Sequence, residues 1–67
     1  MDAKELGKAI QLRRKSRKIS QEDLAEIAGI GQRTRRDIEK GSGNPELTTL
    51  LKLCEVLGMK LTIDIIT

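Results

Sequence analysis

Four polar side chains in the stretch from Gln32 to Asp37 are of the types that contact nucleic acid. Gln32, Arg33, Arg36 and Asp37 are spaced so that they share one face of a helix. Glutamine and arginine carry donors that reach base edges and phosphates, which a helix entering a DNA major groove must present. The alternative is the solvated face of an amphipathic helix in a helical bundle. The residue types favour DNA as the partner.

Two short helices joined by a glycine turn are predicted to position these side chains. Ser20 is of a type that caps a helix, with Asp23 three residues later, and the residues expected to face inward are Leu24, Ile27 and Ala28. Gly29 should end this helix with a positive φ angle.

The second helix carries the polar face. Gly31 stands at its cap position, Thr34 and Ile38 are expected on its inner side, and Lys40 and Gly41 end it. Helix, turn and helix in this order predict a helix-turn-helix.

Two further helices are predicted to flank this pair. The first runs from about Asp2 to Ser16, with Leu6, Ala9 and Ile10 facing inward. The other spans residues 45–57, with Asn44 as cap and Pro45 at its first position, and Gly58 ends it. Its residues at helical spacing are Leu47, Leu50, Leu51, Cys54 and Leu57.

The segment from Met59 to Thr67 alternates apolar and polar residues and predicts one β-strand. A lone strand leaves backbone groups unpaired on both edges, and no other segment reads as a strand. We therefore predict that residues 58–67 pair with the same segment of a second copy. The pairing would bury Leu61, Ile63 and Ile65 and present two recognition helices to a palindromic site.

Composition restricts the remaining possibilities. The chain has 67 residues, 37% of them hydrophobic and none aromatic, which indicates one domain, residues 1–67, with a small core. One cysteine and no histidine predict neither a disulfide nor a Cys/His metal site, and they favour the cytoplasm. No cofactor is expected, and DNA binding would make the nucleoid the site of action. No membrane span is expected. Nothing resembles a catalytic nucleophile with a base, a phosphate-binding loop or a carboxylate pair in a cleft, so an enzyme is not predicted.

Positive charge is concentrated around the predicted helix-turn-helix. The formal net charge is only +3, but five of the 13 basic residues lie between Arg13 and Lys18. Three more, Arg33, Arg35 and Arg36, lie in the second helix of the pair. Basic residues also suit a helix C-terminus, but two clusters flanking one polar helix favour a polyanion.

Nearly the whole chain resembles the Xre/Cro-like helix-turn-helix repressors of bacteria and phages. The matching motifs are Q-x-x-L-A-x-x-A-G-I-x-Q-x-T from Gln21, I-E-K-G from Ile38 and N-P-x-L-x-x-L from Asn44. This resemblance implies an all-α, lambda-repressor-like four-helix domain, here with the C-terminal strand pairing across a homodimer. It also implies an ion pair between Arg14 and Glu39.

The resemblance further implies which residues contact double-stranded DNA. Gln21 would meet a phosphate and brace Gln32, while Gln32 and Arg33 would face bases, and Arg36 and Asp37 lie further along the same face. Backbone contacts are expected from Arg17, Lys18, Ser42 and Gly43.

The end of the chain is similar to a narrower group, the HipB-type antitoxins. The similarity rests on Leu47-Thr-Thr, on the Val-Leu-Gly that ends the fourth helix, and on M-K-L-T-I from Met59. It implies an autoregulating repressor that also restrains a HipA-like kinase toxin, and the alternative is a stand-alone Xre-type regulator.

Three positions depart from the Xre/Cro pattern. Arg13 and Arg35 replace residues that are usually apolar, and their charged ends are expected to reach water or carboxylates such as Glu22 or Glu26. Gly31 replaces the usual Ser or Thr cap.

Overall fold

Four α-helices make up the domain in a computed structural model that describes residues 2–66. The helices are α1 (Ala3–Ser16), α2 (Gln21–Ala28), α3 (Gln32–Lys40) and α4 (Leu47–Leu57). The all-helical fold and the helix, turn and helix order of α2 and α3 are as predicted.

Side-chain caps start the first two helices. The Asp2 carboxylate accepts a hydrogen bond from the Glu5 backbone N–H at 2.8 Å, and the Ser20 hydroxyl accepts one from Asp23 N–H at 3.0 Å. Gly31 caps α3 without any side-chain hydrogen bond. The Asp2 and Ser20 caps each satisfy an N–H group that has no partner inside the helix.

The last three helices share one way of ending. Gly29, Gly41 and Gly58 each take a left-handed conformation, with φ angles of 71°, 76° and 66°. In each case the N–H of the following residue bonds a carbonyl five residues back, as Ser42 does to Asp37 at 2.9 Å. Glycine adopts this conformation without the steric cost of a side chain.

The core lies where all four helices meet. Its buried members are Ile10, Leu24, Ala28, Ile38, Leu53 and Leu57. Helix α1 packs closely on α3 because residue 7 is glycine. A Cβ atom at this position would lie 2.2 Å from the Ile38 carbonyl oxygen. That distance is far inside van der Waals contact, so α3 could not approach any larger residue at this position.

The inward faces of α2 and α3 differ from the sequence expectation at two residues. Ile27, predicted to face inward, is 63% exposed, and the buried residues beside Leu24 are Ala25 and Ala28. Thr34 is exposed as well, and Arg35 is buried together with Ile38. An inward pair spaced three residues apart serves a short helix as well as one spaced four apart, so periodicity alone did not distinguish them.

Helix α4 begins later than predicted. Its N-cap is Glu46, whose backbone is extended and whose side chain makes no capping hydrogen bond, so Asn44 and Pro45 precede the helix. Leu53, Cys54 and Leu57 are its buried residues, while Leu47 and Leu51 are exposed. The predicted cap was wrong because Pro45 suits the extended connection before a helix as well as its first turn.

Residues 59–66 form no helix and no strand in the single chain. Leu61, Ile63, Ile65 and Ile66 are all exposed, and Ile63 is 99% accessible to solvent. A strand requires a neighbour for its backbone groups, which one copy of the described segment does not provide. The predicted strand and its pairing therefore stay predictions. Thr67 lies outside the described residues.

Across the described residues, no helix combines the length and hydropathy needed to cross a membrane.

Candidate nucleic-acid interface

The outer face of α3 and the start of α2 carry most of the predicted DNA contacts. Gln21, Gln32, Arg33 and Arg36 are exposed, and Asp37 is half-buried. The connection through Gly29 and Gly31 holds the two helices together, because Ile30 between them packs against the core. The arrangement leaves polar and cationic side chains of α3 free to reach a ligand.

An open groove adjoins the C-terminal half of α3. It has a volume of about 160 Å³ and is lined by Thr34, Asp37, Ile38, Ser42, Gly43, Asn44 and Pro45. The Ser42 hydroxyl donates to the Asp37 carbonyl at 3.4 Å, so three predicted site residues, Asp37, Ser42 and Gly43, come together here.

The other basic cluster has a structural role besides any contact with a ligand. Arg13 donates from Nε to the Leu57 carbonyl at 2.8 Å, so its charge meets the C-terminal end of α4. A Cβ atom on Gly58 would lie 3.4 Å from guanidinium nitrogens of both Arg13 and Arg17. Cations at a helix C-terminus offset its dipole. Arg17 is exposed beside α4, and Lys18 is exposed with a left-handed φ of 56°.

The ion pair between Arg14 and Glu39 is present and buried. Arg14 donates from Nε to Glu39 Oε2 at 2.9 Å and from its second terminal nitrogen to Oε1 at 3.2 Å. Its other terminal nitrogen, Nη1, donates to the Ile19 carbonyl at 3.0 Å. The side chains are 6% and 4% exposed, so this pair joins α1 to the end of α3 away from solvent.

Arg35 joins the same pair from the other side. Its guanidinium lies 3.7 Å from Glu39 Oε1 and donates to Gln32 Oε1 at 3.4 Å. Within residues 2–66 its Nε atom is buried without a hydrogen-bond partner. The charge of Arg35 was expected to reach water or a carboxylate such as Glu22 or Glu26. It does lie near a carboxylate, but that of Glu39, because Arg35 is buried and both other glutamates are exposed.

Two features of the site escaped sequence reasoning. Nothing in the sequence indicated that residue 7 must be glycine, because the backbone that it contacts, at Ile38 and Glu39, is distant in the chain. The contact of Arg35 with Gln32 could have been suspected from their spacing of three residues, which places them on adjacent turns.

Cys54 is buried on α4 as its helical spacing predicted, and burial raises the pKa of its thiol, so it packs as a small apolar residue. No group of three potential metal ligands was found among residues 2–66.

Comparison with known sequences finds relatives of the chain among transcriptional regulators and repressors. An uncharacterized HTH-type transcriptional regulator of Haemophilus influenzae is 49% identical over 45 residues, which cover 67% of this chain and 46% of that protein. The immunity repressor protein of Bacillus phage phi105 is 37% identical over 57 residues, covering 85% of this chain and 40% of that one. The chain thus spans less than half the length of these two relatives.

Comparison of structures gives a similar result. A HipB chain from a HipA-HipB-O2-O3 complex superposes on all of this chain and on 94% of its own length, with a TM-score of 0.85 and 28% identity.

Residues 10–63 match the family profile described as Helix-turn-helix. The chain therefore belongs to the Xre-like helix-turn-helix family of transcriptional regulators.

Proposed function

We propose that the chain is a sequence-specific repressor that binds palindromic double-stranded DNA as a homodimer. The observation that carries the proposal is the face of α3, where Gln32, Arg33 and Arg36 are exposed although the same helix buries Arg35 and Ile38. Side chains of these types read base edges in the major groove.

The contacts divide into those that read bases and those that fix the register. Gln32 and Arg33, at the start of α3, are assigned to bases, and Arg36 and Asp37 continue that face. Gln21, Arg17, Lys18, Ser42 and Gly43 are assigned to the sugar-phosphate backbone.

Selection of bound sequences from a random duplex library tests this division. Gln32→Ala or Arg33→Ala should relax the preference at one or two base pairs by about 1–3 kcal/mol. Arg17→Ala should weaken binding to all duplexes alike, because phosphate contacts carry no sequence information. Failure to enrich any sequence would refute sequence-specific binding.

The dimer is assigned to the C-terminal segment. The exposed Leu61, Ile63 and Ile65 alternate with Lys60, Thr62 and Asp64, so an antiparallel pair would gather the apolar residues on one face. Burial of this face against a second copy would remove large apolar side chains from water.

Charge favours one register for the pair. With Thr62 on the two-fold axis, each Lys60 stands opposite the partner's Asp64, and each Leu61 stands opposite the partner's Ile63. Opposite charges and apolar pairs across strands each stabilise a sheet by about 0.2–1 kcal/mol.

A cysteine placed on the axis tests the register. In a Cys54→Ala background, Thr62→Cys should form a disulfide between two copies under mild oxidation, because residues directly opposite have close Cβ atoms. Lys60→Cys is the matched control, since in this register its two copies lie too far apart to bridge. Equal cross-linking of the two variants would contradict the register.

The biological setting has two candidates. Similarity to HipB over the whole chain favours an autoregulating antitoxin that binds a HipA-like kinase. The alternative is a stand-alone transcriptional regulator, favoured by similarity to the phage immunity repressor. Coexpression with a kinase encoded beside this gene, followed by co-purification, separates them, and the antitoxin role fails if no such kinase binds.

A further inference from the structure

We infer that Arg35 is a positioning residue for base recognition, which holds the Gln32 amide so that it favours guanine over adenine. The inference rests on the proposed function in one respect, the assignment of Gln32 to a base edge.

The first step is the shortage of acceptors around Arg35. Arg14 uses both carboxylate oxygens of Glu39, at 2.9 and 3.2 Å, and leaves Arg35 a longer approach of 3.7 Å. Two buried guanidinium groups therefore share one carboxylate. The remaining partner of Arg35 within the described residues is the Gln32 amide oxygen at 3.4 Å.

The second step is the direction of the amide. A guanidinium group has only donors, so only the oxygen of Gln32 can face it. Loss of that contact would leave a further donor of a buried cation unsatisfied. The cost of such a donor stabilises this orientation of the amide. The amide nitrogen, with its two donors, then points away from Arg35 on a side chain that is exposed.

The third step is the base that such an amide prefers. Adenine offers N7 as an acceptor and N6 as a donor, so its recognition requires the glutamine oxygen as well as the nitrogen. Guanine offers two acceptors, N7 and O6, which suit an amide that presents its nitrogen. Because the oxygen is already polarised by a cation, it is a poorer acceptor for adenine N6.

Sequence selection with four proteins tests the inference: the wild type, Arg35→Leu, Gln32→Ala and the double variant. In the wild type the base pair that contacts Gln32 should favour guanine. Arg35→Leu frees the oxygen and should shift the ratio of adenine to guanine at that base pair about tenfold toward adenine. In the Gln32→Ala background, Arg35→Leu should change no base preference, whereas a merely structural role would affect all positions equally in both backgrounds.

A measurement without DNA tests the orientation itself. Relaxation of side-chain amide groups by NMR should show the Gln32 amide to be more ordered than that of Gln21, which is exposed at the start of α2. Arg35→Leu, and Arg35→Met as a second apolar variant, should remove this difference.

The outcomes separate the inference from the proposed function. An ordered Gln32 amide in a protein that selects no duplex would refute sequence-specific binding and leave the contact with Arg35 established. A Gln32 amide as mobile as that of Gln21, or an unchanged base preference in Arg35→Leu, would overturn the inference.

Discussion

At the scale of single residues, three charged side chains are buried together where α1 meets α3. Arg14 and Glu39 contact each other through two hydrogen bonds, while Arg35 adds a second cation whose Nε atom has no hydrogen-bond partner among residues 2–66. A buried charge costs free energy unless a counter-charge and hydrogen bonds compensate for its lost hydration. Both arginines therefore depend on the carboxylate of Glu39 for their counter-charge.

Replacing Glu39 should destabilise the domain severely. Glu39→Gln leaves two buried guanidinium groups without a carboxylate, and we expect the free energy of unfolding to fall by about 3–5 kcal/mol. The chain contains no aromatic residue, so urea denaturation should be followed by far-UV circular dichroism. Glu26→Gln, at an exposed position of α2, is the control and should change stability by less than about 0.5 kcal/mol. Equal effects of the two variants would contradict this account.

Replacing Arg35 with an apolar residue should have the opposite sign. Arg35→Leu removes a buried cation whose Nε finds no hydrogen-bond partner in the described part of the chain, and it leaves the Arg14 pair with Glu39 intact. We expect stability to rise by about 1–3 kcal/mol. Arg35→Ala is the control, because it removes the same charge but leaves a cavity, so it should be less stable than Arg35→Leu. A less stable Arg35→Leu would show that the cation is better compensated than the contacts indicate.

At the scale of helices, the close approach of α1 to α3 sets the geometry of the site. The approach depends on Gly7, which lies against the Ile38 and Glu39 carbonyl groups. The buried pair of Arg14 and Glu39 crosses the same interface, so the helix spacing and the ion pair support each other.

A methyl group at residue 7 should therefore force the two helices apart. Alanine improves helix propensity by about 1 kcal/mol over glycine, but overlap with the backbone of α3 should outweigh it and give a net loss of at least about 2 kcal/mol. Gly31→Ser is the control, because apart from its chain neighbours no described residue comes within 4 Å of an added Cβ there and the hydroxyl could cap α3. Thermal unfolding of the two variants should shift in opposite directions, and a stabilised Gly7→Ala would disprove the steric argument.

At the scale of the whole molecule, a single copy leaves the apolar side chains of its C-terminal segment without a packing partner among the described residues. The described chain leaves Leu61, Ile63, Ile65 and Ile66 in solvent while its core contains only a few large side chains. Association would bury this surface and stabilise a domain that is small for independent folding.

Loss of the segment should uncouple association from folding of the helices. Removing residues 60–67, which keeps the Met59 bond that ends α4, or replacing Ile63 with Lys, should convert the dimer into a helical monomer and make DNA affinity fall much further than helicity. Analytical ultracentrifugation and circular dichroism at several protein concentrations measure both effects. Exposed Lys52→Ala in α4 is the control and should leave the dimer intact. An intact chain that sediments as a monomer at micromolar concentration would exclude the dimer.

Binding to DNA should weaken steeply as salt is added. Each phosphate contact contributes about −0.9 to the slope of log affinity against log salt concentration, so a dimer with several contacts should lose orders of magnitude in affinity. Fluorescence anisotropy across a salt series gives the slope for the dimer. Arg17→Ala removes one proposed phosphate contact from each subunit and should make that slope less steep. A response independent of salt would rule out the proposed contacts of the basic residues.

The sequence by itself determined the helices, their order and most of their ends. Local chemistry decides these features, as the Ser20 cap and the left-handed Gly29 show, because their partners lie within a few residues. The exposure of Gln32 and Arg33 and the Arg14 pair with Glu39 were also predictable, the latter only by resemblance to a family.

Only the tertiary structure decided which way α3 turns, how near α1 comes and where the charge of Arg35 goes. Thr34 and Arg35 flank Ile38 around the axis of one short helix, so the rotation of α3 about that axis decides which of them is buried with Ile38. The burial of Arg35 beside Glu39, and the need for glycine at residue 7, depend on contacts between helices distant in the chain. Periodicity reports which residues share a face, but the packing partner sets the rotation of that face and the atoms that it meets.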